Sequence, residues 1–167
     1  EDASRVRITA LKNTLNYYMP LSRHYSYSSS FGDKSTQALG LVSIPSIFYG
    51  SSIKKGSVNL RYYITGTLAG ELKDPGRDGE LVQVGPTGST GSGSIAGVVL
   101  YNEGFVVLTG SWELSPHQQK SDGSSNDQAK WFYFGQTISS SVGGKGTSDH
   151  SSSFEMSFKG VNYIPVL

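Results

Sequence analysis

Two apolar runs, Ile-Ala-Gly-Val-Val-Leu-Tyr at 95–101 and Phe-Val-Val-Leu-Thr-Gly at 105–110, flank the triplet Asn-Glu-Gly at 102–104. A three-residue connection that ends in Gly suits a type I turn completed by a left-handed residue, so the sequence predicts a β-hairpin. Both arms are apolar at almost every position, which indicates that each face of the hairpin is covered. We therefore expect Val98, Leu100, Val106 and Leu108 to be buried at the centre of the core.

Further strands are predicted on both sides of this hairpin. The residues from Ser57 to Thr65 place Val58, Leu60, Tyr62 and Ile64 at alternate positions, as a half-buried strand does. Three more strands are predicted over 39–44, 80–84 and 154–158. The intervening stretches 85–94 and 138–153 are rich in Gly and Ser and predict surface loops.

The first 37 residues differ from the rest of the chain. Apolar residues recur at spacings of three and four between residues 2 and 18, which predicts a helix that Pro20 ends. The Ser-rich stretch 22–37 is interpreted as an extended arm. Side chains on one face of the helix and aromatic side chains of the arm are predicted to contact a neighbouring subunit; these are Ile8, Leu11, Leu15, Tyr25, Tyr27 and Phe31.

The composition agrees with a β-rich chain. The 167 residues include 21 Gly and no Cys, with 36% hydrophobic and 16% charged residues. We predict a mainly β protein, an antiparallel sandwich or open barrel with an N-terminal helix and one short additional helix over 128–134. Residues 1–37 would form the helix and extended arm, and residues 38–167 the antiparallel β domain. The chain starts without Met and ends on an apolar segment, so we expect it to be part of a longer one.

Charge and hydropathy argue against two classes of partner. The net charge is +1 and Lys and Arg form no run of four, whereas nucleic-acid binding requires clustered cations. No apolar run approaches 18 residues, so no membrane span is predicted. The sequence thus predicts neither a nucleic-acid partner nor a membrane partner.

No set of residues predicts catalysis, a metal or a cofactor. His24, His117 and His150 lack a second ligand at helical spacing, and no Gly-x-Ser-x-Gly follows a strand. The acidic residues Asp74, Asp78 and Glu80 lie in a turn-rich loop that could hold calcium, but their spacing does not match an EF-hand. We therefore predict a protein that is not an enzyme and needs no cofactor.

Several short blocks occur in a recognisable order along the chain. They are Ser43-Ile44-Pro45, Phe48-Tyr49-Gly50, Ile53-Lys54-Lys55-Gly56-Ser57, Gly97-Val98 with Tyr101, Gly104 to Gly110, and Phe158-Lys159-Gly160. The pattern resembles virion structural proteins of tailed bacteriophages, especially marine contractile-tailed types. The resemblance implies a tail, baseplate or particle-surface location in the virion. It also implies contacts with copies of the same chain and with other virion proteins, and it carries no site residue over.

Aromatic side chains leave a second hypothesis open. Adjacent aromatics such as Tyr62 and Tyr63 point to opposite faces of a strand, so one of each pair faces outward. Outward aromatic rings are suited to sugar rings or to a protein partner. The alternative to a structural subunit is therefore a carbohydrate-binding or receptor-binding β-sandwich, with a glycan as partner.

Overall fold

The computed structural model describes residues 2–30, 32–37, 39–64, 66–114, 118–120, 126–135 and 152–161. Two short helices, α1 (Asp2–Ala10) and α2 (Lys12–Tyr17), precede the strands. Single 3-10 turns lie at Arg23–Tyr25, Ser46–Phe48 and Trp131–Tyr133. The strands are β1 (Ser28–Ser29), β2 (Gly32–Asp33), β3 (Gly40–Ser43), β4 (Asn59–Ile64), β5 (Thr67–Lys73), β6 (Glu80–Gly85), β7 (Ile95–Leu100), β8 (Phe105–Leu108), β9 (Gln118–Lys120), β10 (Asn126–Gln128) and β11 (Ser152–Ser157).

Seven strands form one antiparallel sheet that curls into a half-barrel, in the order β11-β4-β5-β6-β7-β8-β3. The pairs β1–β2 and β9–β10 form two small separate sheets. Isolated bridges between Gly50 and Val161 and between Ile53 and Gly160 join the segments that follow the two edge strands. The prediction of a mainly β, open-barrel fold is confirmed. No helix in the described ranges has the length and apolar character that a bilayer span requires.

The β7–β8 hairpin is the most buried part of the sheet, as predicted. Val98, Leu100, Val106 and Leu108 are each at most 1% exposed. The connection spans four residues, 101–104, rather than three, because Leu100 pairs with Phe105 across the strands. Gly104 takes the predicted left-handed conformation, with φ 77°, and its N–H donates to the Leu100 carbonyl at 2.9 Å.

Two layers cover this hairpin, which explains why both arms are apolar. Its concave side belongs to the large core, where Trp131 fills the half-barrel and packs edge-on against Tyr62 at 5.9 Å between ring centroids. Its convex side is covered by the N-terminal residues Ile8, Leu15, Tyr25 and Tyr27, which contact Val98, Leu100 and Val107.

The extended-arm prediction is wrong for the described part of residues 22–37. This segment folds onto its own chain: Ser22 caps a 3-10 turn by accepting from the His24 N–H at 3.1 Å, and the Tyr25 hydroxyl donates to the Val99 carbonyl. The physical reason is that the convex face of β7–β8 needs an apolar cover, and a segment of the same chain supplies it without the entropy cost of association. Phe31 lies outside the described residues.

The short helix predicted over 128–134 is also corrected. Gln128 ends β10, and only Trp131–Tyr133 form a single 3-10 turn. Lys130, with φ −138° and ψ 156°, has an extended backbone, which excludes it from a helix. Trp131 and Phe134 pack inward, at 0% and 6% exposed.

Candidate functional site

The candidate site lies at the end of the half-barrel where the edges of the sheet meet, which we call the closed end. It comprises residues 44–58, 74–79, 101–104 and 158–161. Backbone hydrogen bonds join these segments: Ile44 N–H donates to the Gly104 carbonyl at 2.7 Å, Ile53 N–H to the Tyr101 carbonyl at 2.9 Å, and Lys54 N–H to the Lys159 carbonyl at 2.7 Å. Segments far apart in the sequence are thereby fixed beside one another.

A buried carboxylate organises this end. Asp74 is 0% exposed and accepts from the backbone N–H groups of Gly56 at 2.8 Å and Val58 at 3.1 Å. The Tyr101 hydroxyl donates to the same carboxylate. Burial raises the pKa of Tyr101, and the neighbouring Asp74 raises it further, so this phenol stays protonated and acts as a donor. Asp74 therefore ties the turn at 54–57, the turn at 74–77 and the hairpin tip together.

A shallow groove of about 500 Å³ opens beside this carboxylate. Lys54, Lys55 and Arg77 line it, together with Ser52, Gly160 and Val161. The ammonium group of Lys55 also lies 5.9 Å from the centroid of the Tyr101 ring. The groove is thus lined by three cationic side chains from two turns that the Asp74 carboxylate fixes.

Arg77 has an unusual backbone in this groove. Its φ of 57° makes it the one non-glycine residue of positive φ in the described ranges. Its side chain lies over Gly56, where an added Cβ would come 3.3 Å from the Arg77 Cγ. The left-handed conformation costs a side-chain-bearing residue on the order of 1–2 kcal/mol, which the surrounding hydrogen bonds offset.

Exposed apolar side chains mark the same end of the molecule. Ile47 and Phe48 are 86% and 66% exposed on the turn at 46–48, and Val161 is 42% exposed. Their neighbour Tyr49 is buried, and its ring packs close to Gly104. The turn therefore presents two large apolar side chains from a fixed base.

The predicted subunit-contact residues do not belong to this end. Ile8, Leu15, Tyr25 and Tyr27 are buried between the N-terminal segment and the β7–β8 hairpin, at most 9% exposed, and Leu11 is partly buried against the same cluster. Burial inside their own chain makes these residues unavailable to a neighbour in this conformation.

The acidic loop considered for calcium is arranged differently from a cation site. Its carboxylates accept from separate groups: Asp74 from backbone N–H groups, Asp78 from the Glu80 N–H at 3.2 Å, and Glu80 from the Ser22 hydroxyl at 2.5 Å. No group of three or more metal-ligating side chains converges within the described part of the chain. His117 and His150 lie outside the described residues, and burial lowers the pKa of His24.

Sequence reasoning recognised the turns of this end but not their residues' roles. The loop that carries Asp74 and Asp78 is recognisable as turn-rich, but no sequence pattern brings Lys54, Lys55 and Arg77 together. One local signal was available: an acidic residue directly before Pro75-Gly76 is suited to binding backbone N–H groups in a turn. The pairing of the two turns depends on β4–β5 contacts, which single-sequence patterns do not reveal.

Comparison with known proteins adds no relative to this picture. No protein-family model, no curated protein and no solved structure matches the chain.

Proposed function

We propose that the protein is a structural subunit of a tailed-bacteriophage particle, a tail, baseplate or particle-surface component that acts through subunit contacts. The observation that carries the proposal is the arrangement of the residue blocks on which the resemblance rests. Most of the blocks that are scattered from residue 43 to residue 160 meet at the closed end through hydrogen bonds and bridges, while Gly97-Val98 and residues 105–108 lie in the adjoining strands β7 and β8. A pattern that defines one connected structural unit is a better guide to shared architecture than isolated short matches.

The roles of those blocks are structural. Tyr49 packs against Gly104, Ile53 is 1% exposed, and the Gly160 backbone pairs with Ile53. These residues close the half-barrel and bring no nucleophile or acid–base pair together. A protein whose characteristic residues maintain its shape is suited to assembly, where shape determines which surfaces meet.

The exposed pair Ile47 and Phe48 supports subunit contact at this end. Large apolar side chains clustered on a fixed turn are costly to leave in water and are typical of interfaces, whose centres are enriched in aromatic residues. We propose that these two side chains contact another virion subunit, either a further copy or a different protein, in the assembled particle.

The proposal is tested by mass spectrometry and immunogold labelling of purified particles of the phage whose genome encodes the chain. We expect the protein in stoichiometric amounts, at a fixed position in the particle. Particles that lack the protein, or a coding sequence that lies outside any phage or prophage genome, would overturn the proposal.

A pair of variants tests the contact surface. Phe48→Ser should prevent incorporation into particles, whereas Val84→Ser, which changes an apolar residue 43% exposed on β6, should not. Equal incorporation of the two variants would exclude the turn at 46–48 as the contact. Glycan-array binding that is lost in Phe48→Ser but kept in Val84→Ser would favour the carbohydrate-binding alternative.

A further inference from the structure

We propose that the groove at the closed end binds an oxyanion of the phosphate or sulfate class. Lys54, Lys55 and Arg77 line this groove and would hold the ligand, with Arg77 forming the paired hydrogen bonds that a guanidinium gives to such groups. The inference depends on the groove alone and stands whether or not the protein belongs to a phage particle.

The first argument is that the cations lack a countercharge. None of the three side chains forms an ion pair with another described residue. A fourth cation, Lys159, is joined to Lys54 by a backbone hydrogen bond. Like charges gathered in one place repel each other, and a bound anion removes that repulsion.

The second argument is that the nearby carboxylates already have partners. Both oxygens of Asp74 accept from backbone N–H groups, and one also accepts from the Tyr101 hydroxyl. Asp78 accepts from the Glu80 N–H at 3.2 Å. Asp74 reduces the net positive charge beside the groove, but it is buried, and its oxygens are engaged in holding the turns.

The third argument is that the groove is preorganised. The Asp74 carboxylate fixes the turn that carries Lys54 and Lys55 against the turn that carries Arg77, through the N–H of Gly56. The Arg77 N–H also donates to the Asp74 carbonyl at 3.1 Å, which helps to hold the left-handed conformation. Strained backbone conformations cluster at ligand sites. A site whose cationic side chains are held in place before binding also loses less entropy when the ligand binds.

The size of the groove limits the ligand. A volume of about 500 Å³ is larger than one phosphate group, and the groove is open on one side. It can therefore accept a free phosphate or a phosphate group carried on a larger molecule such as a surface glycan. The chemistry recognised is the same in both cases, so the experiment includes a probe for each source.

Binding is measured by isothermal titration calorimetry and by ¹H–¹⁵N NMR titration of the whole chain at low salt. The probes are inorganic phosphate, pyrophosphate, and a phosphate-bearing polysaccharide with its dephosphorylated form as control. We expect saturable binding, with shift changes concentrated at residues 52–57, 77 and 160–161. Tighter binding of the polysaccharide than of both free probes would identify a carried phosphate, and the opposite order a free one.

Three groove variants and one control test the assignment. Arg77→Gln and the double variant Lys54→Gln/Lys55→Gln should weaken binding at least tenfold, whereas Arg23→Gln, which removes an exposed arginine outside the groove, should not. Arg77→Gly keeps the left-handed turn without strain, so its loss of binding cannot be attributed to misfolding; a thermal melt checks each variant. Non-saturable binding, shifts spread over the surface, or equal weakening in Arg23→Gln would overturn the proposal.

Discussion

At the scale of single residues, Gln83 is the polar centre of the core. It is 1% exposed, and its Oε1 accepts from the indole N–H groups of Trp112 at 2.7 Å and Trp131 at 2.9 Å. Its Nε2 donates to the Ser89 hydroxyl and the Thr90 carbonyl, both at 2.9 Å. One amide therefore satisfies two indoles and fixes the Gly- and Ser-rich loop at 85–94 to the core.

Gln83→Met should destabilise the protein by about 3 kcal/mol, because the buried indole N–H of Trp131 and the partly buried one of Trp112 both lose their acceptor, and a buried donor without an acceptor costs roughly 1–3 kcal/mol. Urea unfolding followed by circular dichroism gives the free energy of unfolding. The matched control is Val84→Thr on the exposed side of the same strand, which should change it by less than about 0.5 kcal/mol. A loss below about 1 kcal/mol in Gln83→Met would contradict the role assigned to this amide.

Lys34 is a second buried polar residue, and it predicts a pH dependence. It is 5% exposed, its ammonium donates to the carbonyls of His24 at 2.9 Å and Ser26 at 2.6 Å, and burial lowers its pKa to about 8. An unfolded lysine has a pKa of about 10.4, so between about pH 8 and pH 10 the unfolded state binds more protons. Stability must then rise with pH in this window.

We expect the free energy of unfolding to rise by about 1–2 kcal/mol between about pH 8 and pH 9.5, since one pKa unit corresponds to about 1.4 kcal/mol. Above about pH 10 the trend should reverse, because burial raises the pKa of Tyr25 and Tyr101 and the folded state keeps protons that unfolded tyrosines lose. Urea unfolding across this range measures the effect. Lys34→Met should flatten the rise, and the same slope in both proteins would rule out Lys34 as its source.

At the scale of secondary-structure elements, the N-terminal helices and the β7–β8 hairpin depend on each other. Ile8 of α1 is 0% exposed against the convex face of the hairpin, while Val6 of the same helix is 68% exposed. Ile8→Ala should cost about 2–4 kcal/mol, because it removes buried methyl groups and leaves a cavity. Val6→Ala should cost less than about 0.5 kcal/mol. Thermal melts of the two variants measure the difference, and equal melting temperatures would show that α1 is not a structural cover.

The elements that the sequence predicted correctly are those with a local period. The alternation from Val58 to Ile64 and the apolar arms of the hairpin are each visible within ten residues, and the structure confirms both. Strand β5 was missed because Gly70 interrupts its pattern and the register shifts opposite Tyr62. The arm was misinterpreted because aromatic residues among serines have no period of their own; only the distant face of β7–β8 explains where Tyr25 and Tyr27 lie. The groove could not be predicted for the same reason, since its cations meet through the Asp74 carboxylate.

At the scale of the whole molecule, the two regions of the convex surface differ in polarity. Under the helices it is apolar, whereas on the strands β4, β5 and β11 it carries an ion-pair ladder in which Arg61 contacts Glu71 at 3.1 Å and Glu155 at 3.4 Å. The helices therefore cover only the half of the convex surface that needs an apolar cover. The concave surface is filled by one core, in which Tyr62 and Phe134 pack against Trp131 and Phe154 packs edge-on against both of them. The packed core and the closed end thus hold the half-barrel together.

The segments of the closed end should separate together when one close backbone contact between them is blocked. Gly160 pairs with Ile53, and a Cβ added at Gly160 would lie 2.2 Å from the Tyr49 carbonyl oxygen, so the two segments must separate. Gly160→Ala should therefore destabilise the protein by about 1–3 kcal/mol, the usual cost of overpacking. It should also speed amide hydrogen exchange at Ile53 and Lys54, whose N–H groups donate to the carbonyls of Tyr101 and Lys159 across the closed end.

The control is Gly76→Ala. A Cβ added there would meet only the carboxylate of Asp78, at 3.2 Å, so exchange at the Ile53 and Lys54 amides should not change. If Gly160→Ala lowered stability but left this exchange untouched, the closure would not behave as a unit. If the closed end holds the half-barrel together, amide exchange at Ile53 and Lys54 should be faster in Gly160→Ala and unchanged in Gly76→Ala.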